Sequence, residues 1–303
     1  MRNQFDGVSP RSIKSLFPFS RRACSPRLSG EGTRGEQAHR LNGLAAMFFL
    51  TAALAGCATN PSAKAQLNGG YQALDQQQYD QAIQAADQYL QKTPDGPGSA
   101  EAQYLKGRVL EVRADQADRQ GNITQSRADL KDAGDCYKTG LLLSPPPAVE
   151  ALLHAQLANV AYHFDDYGTA VREWQSAYPH LQTADSNAWV LYCVGLCQQR
   201  LGWFAQADRT FQMVEETYPG TPQAARAAKH IGLKGFYVQV GAFSDAGDAQ
   251  RIIANLQMHG FQPDKQVEGG KQLISVGPVP TFADAHALKA RLEADYPKAF
   301  IEP

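Results

Sequence analysis

The chain has 303 residues, with 29 Lys and Arg against 30 Asp and Glu and a net charge of −1. That balance argues against nucleic acid as the main partner, and five scattered cysteines do not make a disulfide framework. No GxSxG, HExxH or P-loop pattern occurs, and the seven histidines form no paired-ligand motif, so the chain does not read as an enzyme and no catalytic or metal site is expected.

Residues 1–40 hold eight Arg and Lys, three acids and scattered Pro, Ser and Gly, with no hydrophobic period. They read as a non-native or disordered extension, the translation start lying further downstream. Residues 41–56 follow Arg40 and contain the apolar run Leu44–Ala53, closed by Leu54-Ala55-Gly56-Cys57. A basic residue, a short apolar segment and small residues before a cleavage point make a secretory signal. Sixteen residues including Asn42 are too few to span a bilayer, which takes roughly 20 apolar residues. The LAGC sequence resembles the bacterial lipobox. That resemblance implies a diacylated Cys57, cleavage before it and acylation of the new amino terminus. This covalent lipid is the one non-protein group expected. One acyl chain is a marginal anchor, whereas three hold durably. Ala58 stands where an aspartate favours inner-membrane retention in enteric bacteria. The expected location is therefore the outer membrane, facing the periplasm, with residues 57–62 as a lipidated tether and everything before Cys57 removed.

From residue 63 to 231 the pattern is helical and self-similar. Gly70 precedes Tyr79, Ala82 and Pro94. Gly107 precedes Ala133, Tyr137 and Pro145. Ala158 precedes Tyr167, Ala170 and Trp174. Gly195 precedes Phe204, Ala207, Phe211 and Pro219. A small residue, an aromatic, an alanine three on, another large apolar residue and a closing proline resemble the tetratricopeptide (TPR) repeat, two antiparallel helices in 34 residues. About four such units form an α-helical solenoid, since no unit buries its apolar face alone, and a helix from Gln223 to Ile231 caps it. The second unit carries an insert at 114–128, centred on the turn Gln120-Gly121-Asn122. Seven residues on either side make about two helical turns, so the insert reads as a lengthened helical hairpin. In this family the first helices line a concave face, which here maps to Tyr71, Tyr104, Arg108, Asn159, Tyr162, Trp189 and Tyr192. A groove rich in Tyr and Trp suits protein recognition; membership of the helix–helix core is the competing reading. Cys193 and Cys197, four apart on one helix, have no set of further ligands for a metal. They read as small buried residues, a bridge to Cys136 being the alternative.

After Gly232 the period becomes two. Phe236–Phe243 reads as a strand. Ser244 caps a helix to His259 with Ala249, Ile252, Ile253 and Leu256 on one face. A strand near Gln262–Val267, a turn at Glu268-Gly269-Gly270, a strand at Leu273–Val276, a helix begun by Thr281 and Asp284, and a strand at Ala299–Ile301 follow. The order βαββαβ is a small ferredoxin-like α+β unit. Alternation turns Phe236, Val238, Val240, Ile274 and Val276 toward the helices. It turns Tyr237, Gln239, Gly241, Leu273 and Ser275 to the open side. FYVQVGAF, Gly260-Phe261, Val276-Gly277-Pro278 and Ala299-Phe300 resemble the SPOR domain over residues 235–303. That small peptidoglycan-binding module implies binding, not cleavage, of glycan strands stripped of stem peptides. Gln239 matches the family's glycan-contacting glutamine, whose amide offers both donors and acceptors, and Gly241 clears room for a sugar ring. With Tyr237, Lys271, Leu273 and Ser275 they make the expected glycan-binding set. The chain departs from the family at Gln272-Leu273, Ala242 and Val279, where Tyr-Arg, a polar residue and an aromatic are common. Lys271 is placed to replace the ionic contact of the missing arginine.

The sequence therefore points to a non-enzymatic envelope lipoprotein. It would be anchored to the membrane by lipid, bind glycan strands through its last domain and recruit unidentified envelope proteins through its repeats, with no nucleic-acid partner. The alternative is a TPR scaffold of outer-membrane, pilus or secretion assembly whose SPOR module is degenerate.

Overall fold

The computed structural model describes residues 61–303 except Gln182. Cys57, the extension at 1–40, the signal at 41–56 and most of the tether lie outside the described residues. Four helix pairs come first: α1 (Pro61–Asp75) with α2 (Tyr79–Lys92), α3 (Ser99–Arg119) with α4 (Ile123–Leu142), α5 (Pro147–His163) with α6 (Tyr167–Ala177), and α7 (Ala184–Arg200) with α8 (Phe204–Thr217). Each pair also packs on the next, as a solenoid requires.

Local chemistry sets the boundaries. Asn122, Asp166 and Thr183 cap α4, α6 and α7, their side-chain oxygens accepting from Gln125, Thr169 and Ser186 backbone N–H groups. Pro147 opens α5, where its missing N–H costs nothing. The second pair has helices of 21 and 20 residues, joined by the short turn at Gln120–Asn122. Gly121 sits there at φ 78°, a conformation glycine adopts freely.

Missing side chains bring the helices together. A Cβ at Gly107 would run into the Tyr137 ring, one at Gly195 would lie 2.5 Å from Phe211, and one at Gly70 would lie 2.6 Å from Leu105. Tyr137, Phe211 and Leu105 are fully buried in these positions. A short helix, α9 (Pro222–Ala227), packs on α7 and α8. It ends at Ala227 rather than Ile231, because the chain leaves the helix through turns to Gly232, at φ 85°. Cys136, Cys193 and Cys197 are free thiols, the latter two buried.

The fourth pair closes on an aromatic cluster. Trp189 and Tyr192 on α7 have ring centroids 6.1 Å apart, Tyr192 lies 5.8 Å from Phe211, and His230 stacks on Phe211 at 5.1 Å. His230 Nδ1 meets Gln199 Oε1 at 2.9 Å, while Gln199 Nε2 donates to the His230 carbonyl at 2.9 Å. Burial, then the charges of Arg200 and Lys229, push the His230 pKa down to about 4.

The last domain is a four-stranded antiparallel sheet of order β2-β3-β1-β4, with β1 (Phe236–Phe243), β2 (Pro263–Glu268), β3 (Lys271–Val279) and β4 (Phe300–Glu302). Helices α10 (Ala246–Met258) and α11 (Phe282–Leu292) cover one face. The core between them holds Val238, Val240, Ile274, Val276, Ala249, Leu256, Leu288 and Leu292. This is the βαββαβ unit expected from the alternation. Asp245, not Ser244, caps α10, accepting from the Asp248 N–H at 2.8 Å. Thr281 caps α11 in the same way and donates its hydroxyl to Asp284.

Two outcomes follow from the fourth pair. A histidine held below its unfolded pKa of about 6.5 stabilises the fold above that value, and the stabilisation is lost as pH falls from about 6.5 toward 4. Melting should therefore drop over that window, and His230→Gln should flatten the drop in a thermal scan against pH. Trp189 and Tyr192 are 6 % and 5 % exposed. Trp189→Ala and Tyr192→Ala should each cost roughly 3–5 kcal/mol in chemical denaturation.

Candidate functional site

The sheet face opposite α10 and α11 is the first candidate. Register fixes which residues it carries, because residues directly opposite in a ladder share a face. Val238 lies opposite Val276 and Ile301, all three in or against the helix-side core. Gln239 therefore faces the open side, with Ser275 opposite it on β3 and Phe300 opposite it on β4. Asp264 on β2 lies opposite Ser275. Asp264, Ser275, Gln239 and Phe300 make one row across all four strands. Leu273 forms the next row with Gln266 on β2 and Ala242 on β1, and Lys271 pairs with Glu268 beyond it. Tyr237 lies opposite Glu302 at the other end.

Gly241 departs from the expected alternation. The register shifts between Gln239 and Gly241, and Gly241 comes to lie opposite Ile274, which is fully buried. A β-bulge of this kind adds one residue to one strand and reverses the faces beyond it. Gly241 thus turns toward the helices and Ala242 takes its place on the open side. The space Gly241 vacates is filled: a Cβ there would meet the Phe243 ring at 2.8 Å, and Phe243 packs against the core. The other five expected residues, Tyr237, Gln239, Lys271, Leu273 and Ser275, share the open face.

The face is mixed in character. Gln239 and Ser275 are buried, 8 % and 4 % exposed, although their strand positions turn them to the side away from the helices. Phe300 stands 43 % exposed beside them, and Tyr237 and Leu273 are half-buried. Three carboxylates, Asp264, Glu268 and Glu302, accompany one ammonium, Lys271; burial pushes the Glu302 pKa up. Phe300 and Asp264 were not among the expected residues. Their signal was present in the same alternation, one step further along β4 and β2.

The second candidate is the concave side of the helix pairs. Arg108 on α3 pairs with Glu111 and donates from Nη1 to Gln156 Oε1 on α5 at 3.2 Å. Asn159 Nδ2 donates to the same Gln156 oxygen at 2.7 Å. This network links the first helices of adjacent pairs directly. Tyr71 and Arg108 remain half-exposed there. Tyr104, Asn159, Tyr162, Trp189 and Tyr192 do not: they are 2–8 % exposed. Tyr104 packs on Tyr137, and Tyr162 lies against Tyr167 and Trp174. These five side chains belong to the helix–helix core, because the positions on a first helix that point inward also meet its own second helix. Of the expected groove residues, one aromatic, Tyr71, and one cation, Arg108, stay accessible.

Among the described residues, no group of three His, Cys, Asp or Glu could hold a metal ion. No helix among them is long and apolar enough to cross a membrane.

A search of curated proteins finds no match. Solved structures resemble the repeat region at low identity. YrrB, described as a TPR protein with an unusual peptide-binding site, is 18 % identical over 55 % of this chain and 75 % of its own, with a TM-score of 0.42. A tetratricopeptide repeat protein from Parabacteroides merdae is 16 % identical over 56 % of this chain and 59 % of its own, with a TM-score of 0.44. MamA is 20 % identical over 55 % of this chain and 81 % of its own, with a TM-score of 0.41. The repeat architecture rests on the helix pairs themselves and not on these likenesses. The family profile of the SPOR domain matches residues 232–301, the segment that forms the four-stranded unit. Behind an array of TPR-like helix pairs, the chain carries a C-terminal SPOR domain.

Proposed function

We propose that this protein is a non-enzymatic cell-envelope lipoprotein that binds peptidoglycan glycan strands on the open face of its SPOR sheet and protein partners along its repeats. The match of residues 232–301 to the SPOR domain supports peptidoglycan association, and helix-pair arrays of this kind serve protein recognition. The observation that carries the finer reading is the row Asp264, Ser275, Gln239 and Phe300 across a face that no helix among the described residues covers. Amide, hydroxyl and carboxylate groups suit sugar hydroxyls, and the exposed ring of Phe300 beside Tyr237 suits the apolar face of a pyranose. The lipid on Cys57, the outer-membrane location and the periplasmic exposure belong to the same proposal and rest on the LAGC sequence, the Arg40 and apolar run before it and Ala58 after it.

One observation favours the alternative, a TPR scaffold with a degenerate SPOR module. The open face has three carboxylates against one ammonium, and Leu273 stands where an arginine would neutralise a glycan carboxylate. Binding on such a face rests on hydrogen bonds and ring contacts rather than ion pairs.

The protein should therefore co-sediment with peptidoglycan sacculi, more so after an amidase has removed stem peptides. Binding should hold or rise as salt screens the like charges. Gln239→Ala should weaken it several-fold with the fold intact, whereas Val240→Asp, which places a charge in the core beneath the helices, should unfold the domain. Sedimentation no greater than that of an unrelated folded protein would favour the degenerate-module reading.

A further inference from the structure

The repeats and the SPOR domain meet at a built junction. Arg200, the last residue of α7, is 8 % exposed. Its guanidinium donates to the Tyr167 hydroxyl at 2.6 Å and lies 5.0 Å from the Tyr162 ring, 5.1 Å from the Tyr167 ring and 4.1 Å from the Phe282 ring. Tyr162 and Tyr167 belong to the third helix pair and Phe282 opens α11 of the SPOR domain. The Tyr167 hydroxyl in turn donates to Asp165 Oδ1 at 2.6 Å. Phe282 also contacts Tyr167 at 6.2 Å and Phe236 at 5.6 Å, and Phe236 meets Phe204 of α8 at 5.7 Å. Gly202, in the turn between α7 and α8, comes so near the Pro280 carbonyl that a Cβ would lie 2.9 Å from it.

The connecting chain is pinned as well. Gln199 holds His230 through both its backbone and its ring. The Gly232 N–H donates to Asp208 Oδ1 on α8 at 3.0 Å. Only Leu233, Lys234 and Gly235 then separate this anchor from β1. Domains in one chain move relative to one another by default unless their interface is large and hydrophobic, and the rings of Phe204, Phe236, Phe282, Tyr162 and Tyr167 give this one an apolar centre. Here a buried cation is shared between aromatic rings of both domains, a geometry with a direct attraction stronger where water is excluded.

We propose that the turn edge of the third and fourth helix pairs is a docking surface for the chain's own SPOR domain, making the protein a rigid bracket rather than two modules on a tether. The contacts on the SPOR side come from Phe236, Pro280 and Phe282, at the helix-covered side and one end of the sheet. These contacts involve no residue of the row through Gln239. A glycan strand on that face and a protein along the repeats would be held at one fixed relative orientation. The bracket rests on the junction alone and does not depend on what either surface binds.

The test is a distance measurement between Leu142 and Met258, which are 84 % and 79 % exposed and lie in different domains. Spin labels on unnatural ketone residues at both positions in the full chain leave the native cysteines untouched. The bracket predicts one narrow distance distribution. Phe282→Ala, outside the SPOR core, should broaden it at least two-fold in width while the circular dichroism spectrum stays unchanged. Phe204→Ala, on the repeat side, should do the same and serves in place of Phe282→Ala if that variant fails to fold. A broad distribution in the unmutated chain, or folded variants as narrow as the unmutated chain, would overturn the proposal.

Discussion

Close approach at missing side chains is the constraint on which the repeat region depends. Gly70, Gly107 and Gly195 each leave a space that a large side chain fills, Leu105, Tyr137 and Phe211 respectively. An alanine at Gly107 or Gly195 would force an aromatic ring out of a fully buried position, an overpacking cost of about 1–3 kcal/mol or more. Since each pair packs on the next, a displaced ring would disturb its neighbours as well. The second and fourth pairs each supply both the gap and the plug, and the gap of the first pair is filled from the second.

The same economy of faces shapes the SPOR domain. Two helices supply enough apolar surface to cover one side of a four-stranded sheet, and Val238, Val240, Ile274 and Val276 fill that side. The other side is left to polar and aromatic groups that need no cover. The junction keeps it so, because Phe236 and Phe282 draw the repeats to the helix-covered side. Strand register, not sequence identity alone, sets Gln239 and Ser275 side by side.

Much of this was legible in the chain. The strand Phe236–Phe243, the cap at Thr281 and the order βαββαβ follow from period-two and period-3.6 patterns with turn residues between them. The bulge after Gln239 breaks the strict alternation, although a glycine inside a strand is itself a signal for one. Strict alternation puts Gly241 on the open face, whereas the extra residue turns it to the helix side opposite Ile274. The groove aromatics failed for a different reason. In a helix pair one period marks both the concave surface and the contact with the second helix, so Trp189 and Tyr192 satisfied the pattern while lying in the core. The junction had no local signature at all, since Arg200 and Phe282 are far apart in sequence and meet only through the docking of two domains.

The central claim is that the open sheet face is where the ligand sits. Backbone amide chemical shifts, recorded while peptide-free glycan strands are added, test it residue by residue. The account predicts changes confined to Tyr237, Gln239, Ala242, Leu273, Ser275 and Phe300, with Gly241 and the helices α10 and α11 unmoved beyond them. Changes centred on α10 and α11, or on the first helices of the repeats, would contradict it.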